Sequence, residues 1–200
     1  MATVTPSTVM TPMGLVNSWY YPITSEPAAA KPVYGSKLDM GHAVKAYLSI
    51  TVASGSVVGD NVTLVEVEEF VSGQLDAETT ASDLQKNAVI YGHTYAEATG
   101  EVSTAEDHAP NGGYAYIQHI LMKDKTKIYR ATCLHKVNAM TGSETQNADT
   151  RQPGTPNFAK NAVSYRVLPD NTGAWRTRQD FDTQAAAVAF IEAFFAPSAS

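Results

Sequence analysis

GDNVTLVEVEEFVSGQLDAETTASDLQKNAVIYGH, residues 59–93, is the stretch that decides how the chain is read. It holds an Asp60-Asn61 turn, a β-prone acidic run, Gly73, a polar break, and then Asn87-Ala88-Val89-Ile90-Tyr91 closing on Gly92. Between residues 61 and 110 ten acids stand against one base, Lys86. The β-branched residues of that run predict strands, so the acids decorate a sheet. Apolar parity changes inside residues 62–71: Val62 and Leu64 share one face, Val65 and Val67 the other. A bulge, or a strand contacted on both faces, accounts for such a switch. Gly73 supplies the freedom for a reversal, which makes residues 62–74 and those after them a hairpin. Ser82 is positioned to cap a short helix at 80–84, and residues 87–91 and 93–97 read as strand on either side of Gly92.

Outward from this stretch, the chain reads as mainly β. In residues 44–52, Val44, Ala46, Leu48, Ile50 and Val52 alternate with polar residues and Tyr47, the period of a strand with one buried face, until residues 53–56 interrupt it. Residues 114–122 and 126–137 form the most secure hairpin, with Lys123-Asp124-Lys125 as its turn. Residues 98–113 and 141–158 read as surface loops. Val163, Tyr165 and Val167 mark another strand, residues 169–173 a turn, and residues 174–181 a short run containing Trp175. Residues 182–195 read as a helix capped by Asp182, its apolar face built on Val188, Ile191 and Phe195. Before all of these, residues 1–34 carry Pro6, Pro12, Pro22, Pro27 and Pro32, which predicts an extended arm. That arm holds the cluster Leu15, Val16, Trp19, Tyr20 and Tyr21, which either folds back or docks on a neighbour. The domain reading is therefore an arm over 1–34 and one β domain over 35–200.

Charge bounds the function. The net charge is −6 and the isoelectric point about 5.3, which argues against a chain that coats DNA by neutralising phosphates. Three bases and three acids lie in residues 1–60, one and ten in 61–110, ten and seven in 111–200. A strongly acidic middle beside a mildly basic second half suits head-to-tail contact between copies. Cys133 is the one cysteine, so there is no disulfide framework, and its place in a strand reads as a small buried hydrophobe. No apolar run reaches membrane-spanning length. His42, His93, His108, His119 and His135 fall in separate segments, without the spacing of a metal site. Glu66, Glu68 and Glu69 sit in strand without the Gly-bearing loop of a calcium site. No phosphate-cradling, dinucleotide or nucleophile-elbow motif occurs. The expectation is no catalysis, no metal and no cofactor.

The order Tyr34-Gly35, Gly41, Gly59-Asp60-Asn61, Glu69-Phe70-Val71-Ser72-Gly73, Asp83-Leu84, Ile90-Tyr91-Gly92-His93, Asp107, Pro110 and Gly112-Gly113-Tyr114 resembles the major tail tube proteins of long-tailed, siphovirus-type bacteriophages. The resemblance covers residues 34–137, with the Trp175 region and the C-terminal helix fitting more loosely. It implies a β-sandwich or barrel flanked by one helix, and hexameric rings stacked on a tail-tip complex into a tube that conducts DNA. It also implies a tape-measure protein and a tail terminator as partners, a chain made in the host cytoplasm and placed in the virion, and no active site. On that reading Glu66, Glu68 and Glu69 face the channel, where an acidic wall lets DNA slide, and Trp19, Tyr20 and Tyr21 make the inter-subunit contact of the arm. A β-sandwich adhesin or carbohydrate-binding module, with Trp19, Trp175 and tyrosines as its platform, is the alternative. A small hydrolase would need Ser, His and Asp brought together by the fold.

Overall fold

The computed structural model of the chain describes residues 10–59, 62–80, 83–143 and 160–196. Ten strands and two helices follow in the order β1 (Met10–Ser25), β2 (Val33–Tyr34), β3 (Leu38–Gly59), β4 (Val62–Thr79), α1 (Leu84–Tyr91), β5 (Thr94–Ala96), β6 (Gly100–Val102), β7 (Asn111–Met122), β8 (Lys127–Ala139), β9 (Asn161–Leu168), β10 (Arg176–Phe181) and α2 (Gln184–Phe195). The fold is mainly β and of the barrel-like class. Antiparallel pairing runs β7-β1-β3-β4-β9 and returns through β9-β8 and β8-β7, so six strands close on themselves. Closure leaves fewer bare edges than an open sheet of the same size. Strand β10 joins as a branch on β8, and β5 with β6 forms a separate small ribbon.

Period-two alternation sends neighbouring residues of one strand into two different cores. Tyr20, Tyr114, Tyr116 and Leu134 point into the barrel with Leu75, Val163, Tyr165 and Val167. Trp19, Tyr21, Ala115, Ile117, Ala131 and Cys133 point outward, beneath Ala187, Ile191 and Phe195 of α2. The small residues Ala115, Ala131 and Cys133 leave room for the helix to sit close to the sheet. Gly112 and Gly113 serve both layers. A Cβ on Gly112 would stand 2.3 Å from the Tyr20 ring, and one on Gly113 would stand 2.3 Å from the ring of Phe195. One extra residue of β8 near His135 breaks the register with β7, just where the outer edge of β8 changes partner from β10 to β9.

Several expectations need correction. Residues 10–25 are not an arm: β1 lies between β7 and β3, and Trp19, Tyr20 and Tyr21 are buried in this chain's own cores. Pro22 is tolerated because its carbonyl accepts from the Gly35 amide on an edge where no donor is required. Residues 1–9 lie outside the described ones. Residues 87–91 are helix rather than strand. The Asp83 side chain accepts from the Gln85 amide at 3.0 Å, Gly92 closes the C-terminus at φ 78°, and Asn87, Ala88, Ile90 and Tyr91 make a buried helical face. Ser82 falls outside the described residues. Thr183, not Asp182, caps α2, accepting from the Ala186 amide at 3.2 Å. Gly73 lies in the interior of β4 paired with Ile50, and residues 53–56 continue β3 without a break. The reversal falls instead between Gly59 and Val62, which pair with each other. The expected loop at 98–113 contributes β6 and the start of β7. Beyond the short turn Thr141–Ser143, most of the loop at 141–158 lies outside the described residues.

Candidate assembly surface

Strands β3 and β4 are the longest pairing in the molecule, and only part of it belongs to the barrel. β9 accompanies β4 from Gly73 to Thr79, and β1 accompanies β3 no further than His42. From Ser72 back to Val62, β4 pairs with β3 alone, which leaves a two-stranded ribbon with both outer edges unpaired among the described residues. Register shifts at Thr51/Val52 and Val57/Val58 place one extra β4 residue at each, as the parity change in the sequence requires.

The ribbon and its root expose Val44, Tyr47, Ile50, Val52, Val67 and Val71, each between 41% and 60% accessible. A monomer seldom combines so many accessible apolar side chains with bare strand edges, and both features favour pairing with another chain. Phe70 braces the root of the ribbon: its ring stacks on Trp175 at 4.3 Å with an interplanar angle of 1°, and the Arg176 guanidinium lies 4.3 Å from the same indole.

The acids divide along the same boundary. In the barrel, Asp76 accepts from Gln74 at 2.9 Å and Ser164 at 2.7 Å, and these bonds hold its carboxyl below the usual range. Glu78 lies 3.5 Å from both Lys45 and Lys160. On the ribbon Glu68 and Glu69 are exposed and form no ion pair among the described residues. Glu68 stands opposite Ser54 and Glu69 opposite Ala53, so the two occupy opposite faces. The three glutamates expected to form one channel wall therefore do not share a face. Glu66 pairs in register with Ser56.

A second cluster was not legible in the sequence. His135 Nδ1 lies 2.8 Å from Asp170 Oδ2, and its Nε2 lies 2.7 Å from Thr177 Oγ1. The order hydroxyl, imidazole, carboxylate is that of a nucleophilic triad. The imidazole is only 7% accessible, however, and packs edge-on against Phe194. Asp170 Oδ1 is engaged by the Thr172 amide, the Thr172 hydroxyl and the Ala174 amide. The network ties the 169–175 turn to β8 and β10. At a third place His93 Nδ1 takes both Glu101 at 2.6 Å and Ser103 at 3.2 Å on one nitrogen, so no relay across the ring exists. Asp107 is spent on the Thr104 amide and hydroxyl. Cys133 is fully buried and its thiol is pushed up to about 12 by that burial. Trp19 is 4% accessible beneath α2 and Trp175 is sandwiched at the ribbon root, so the two tryptophans present no shared platform.

Compared with known proteins, the chain matches no family model and no curated protein. Among the described residues no helix is long and apolar enough to cross a membrane.

Proposed function

We propose that this chain is a structural virion protein that self-assembles into stacked hexameric rings, forming the tail tube through which a long-tailed phage ejects its DNA. One observation carries the reading: the β3–β4 ribbon leaves the barrel with bare edges and exposed Tyr47, Ile50, Val52, Val67 and Val71. Such a ribbon is a hazard in a monomer and a joint in a polymer. The resemblance of residues 34–137 to tail tube proteins supplies the kind of polymer. Its partners on this reading are further copies of the chain, a tape-measure protein, and proteins that begin and end the tube, with double-stranded DNA in passage and no catalytic step.

The test is negative-stain microscopy of the purified chain at rising concentration. Rings or tubes of uniform width are the expected result. A chain that stays monomeric at every concentration overturns the proposal and reopens the reading as a glycan-binding module.

A further inference from the structure

The closed barrel leaves one strand other than the ribbon with a bare side. β10 pairs with β8 from Arg176 to Phe181 and with nothing else among the described residues. Register places Arg178 beside Thr132, and Thr132 beside Tyr116 of β7, while Arg176 stands beside Leu134. These residues look toward the barrel side of the sheet. Asp180, next on that face of β10, is taken by Arg130 at 2.7 Å. Arg176 and Arg178 form no ion pair among the described residues. Burial and then the neighbouring Arg178 hold Arg176 below its ordinary value, the setting that an incoming carboxylate relieves.

The ribbon offers the complement. Glu68 is exposed and unpaired on the free side of β4, and Glu66 stands two positions away on the same strand, the spacing that separates Arg176 from Arg178. We propose that the free edge of β10 in one copy takes the free edge of β4 from a second copy as an added antiparallel strand, with Glu68 of the incoming strand beside Arg176 and Glu66 beside Arg178. This inference rests on the assembly reading and names the two edges that meet. In that register the six residues of β10 span residues 63–68 of the ribbon, so main-chain hydrogen bonds give the joint its strength and the charge pairs fix its register. The two edges differ, so the contact is head-to-tail and closes into a ring rather than a two-fold dimer.

Two charge-reversed chains test it, E66R/E68R and R176E/R178E, followed by sedimentation velocity and negative-stain microscopy. Each alone is expected to need at least a tenfold higher concentration to associate, with its melting transition unchanged. Mixed one to one, the two are expected to assemble at a concentration within about threefold of the unmodified chain. Alternating copies then meet only opposite charges, and an even-membered ring accommodates the alternation. A mixture as impaired as its components, or a single variant that assembles like the unmodified chain, overturns the edge pairing while leaving the tube reading in place. An unmodified chain that never associates overturns both.

Discussion

Residues 43–50 and 73–79 and residues 51–59 and 62–72 belong to the same two strands and carry the same kinds of side chain, yet the first set lies in the barrel wall and the second stands outside it. Leu75 and Ala77 are fully buried, and Ala46 and Leu48 pack against the same core. Val52 and Val67, with equal strand preference, are 44% and 47% accessible. The difference is the third strand: β9 runs beside residues 73–79 and stops. Strand propensity therefore says where the backbone extends, while burial depends on which strands happen to flank it. The barrel half should behave as structure and the ribbon half as interface, and substitutions that separate these roles can break the distinction or sharpen it.

The largest effect is expected from removing residues 1–34. That deletion takes away β1, which links β7 to β3 and buries Trp19, Tyr20 and Tyr21 in two cores at once. Folding stability is only about 5–15 kcal/mol for a domain, so the truncated chain should lose its cooperative melting transition and its near-ultraviolet circular dichroism. A truncation that still melts cooperatively would show that β1 is dispensable to the barrel. Next comes Phe195→Ala. Phe195 is 1% accessible, stacks on Tyr21 at 4.2 Å and meets Tyr34 edge-on at 4.7 Å. Its loss should cost about 3–5 kcal/mol in urea denaturation. Gly113→Ala sets a methyl group against that same ring and should cost about 1–3 kcal/mol by overpacking. The double variant Gly113→Ala with Phe195→Ala should then lose less than the sum of the two, because the smaller side chain relieves the clash.

A polar contact ranks below these. Burial alone would raise the Asp170 carboxyl, but the bonds from Thr172 and His135 hold it below its ordinary value of 3.8. A depressed carboxylate contributes stability that is present above the unfolded value and lost as pH falls through the folded one. Asp170→Asn should therefore cost about 1–3 kcal/mol at pH 7, from a bonded buried group left poorly matched. The gap between variant and parent should narrow below pH 4. A gap that is constant from pH 7 to pH 3 would show that the carboxylate's charge contributes nothing.

The same contrast explains which parts of the molecule the sequence disclosed. The hairpin of β7 and β8 was legible because its alternation is carried by strongly unequal residues, Tyr114 and Tyr116 on one face and Ala115 and Ile117 on the other, and both faces are covered. Residues 19–21 misled because three successive aromatics show no alternation when both faces are buried, and the prolines around them argued for an arm. Asn87-Ala88-Val89-Ile90-Tyr91 has the composition of a strand, but Asp83 and Gly92 provide a cap at each end and the buried positions fall at helical spacing. Ile50 and Val52 continue the alternation of Ala46 and Leu48, and nothing local records that β9 does not reach them. The acidic character of the ribbon was visible, whereas the bare edge of β10 with its two unpaired arginines depends on pairings that only the fold creates. His135 and Asp170 stand 35 residues apart, joined by the turn that Asp170 itself organises.

The smallest effect on folding, and the one that most sharpens the contrast, is expected from the triple substitution Ile50→Thr, Val52→Thr and Val67→Thr. Each keeps a β-branched side chain in its strand and trades part of an apolar side chain that water already reaches, so stability should change by no more than about 0.5 kcal/mol per position. If the same side chains are buried between copies, each loses roughly 1 kcal/mol of apolar transfer on assembly. Three such losses amount to about 3 kcal/mol per contact, on the order of a hundredfold in association. The melting transition should therefore stay near that of the parent while the concentration at which rings form rises steeply. A melting transition that falls with the substitutions would mean that the ribbon packs on the body of its own chain. Unchanged folding together with unchanged association would place the joint elsewhere, because these positions would then be exposed in the assembly as they are in the single chain.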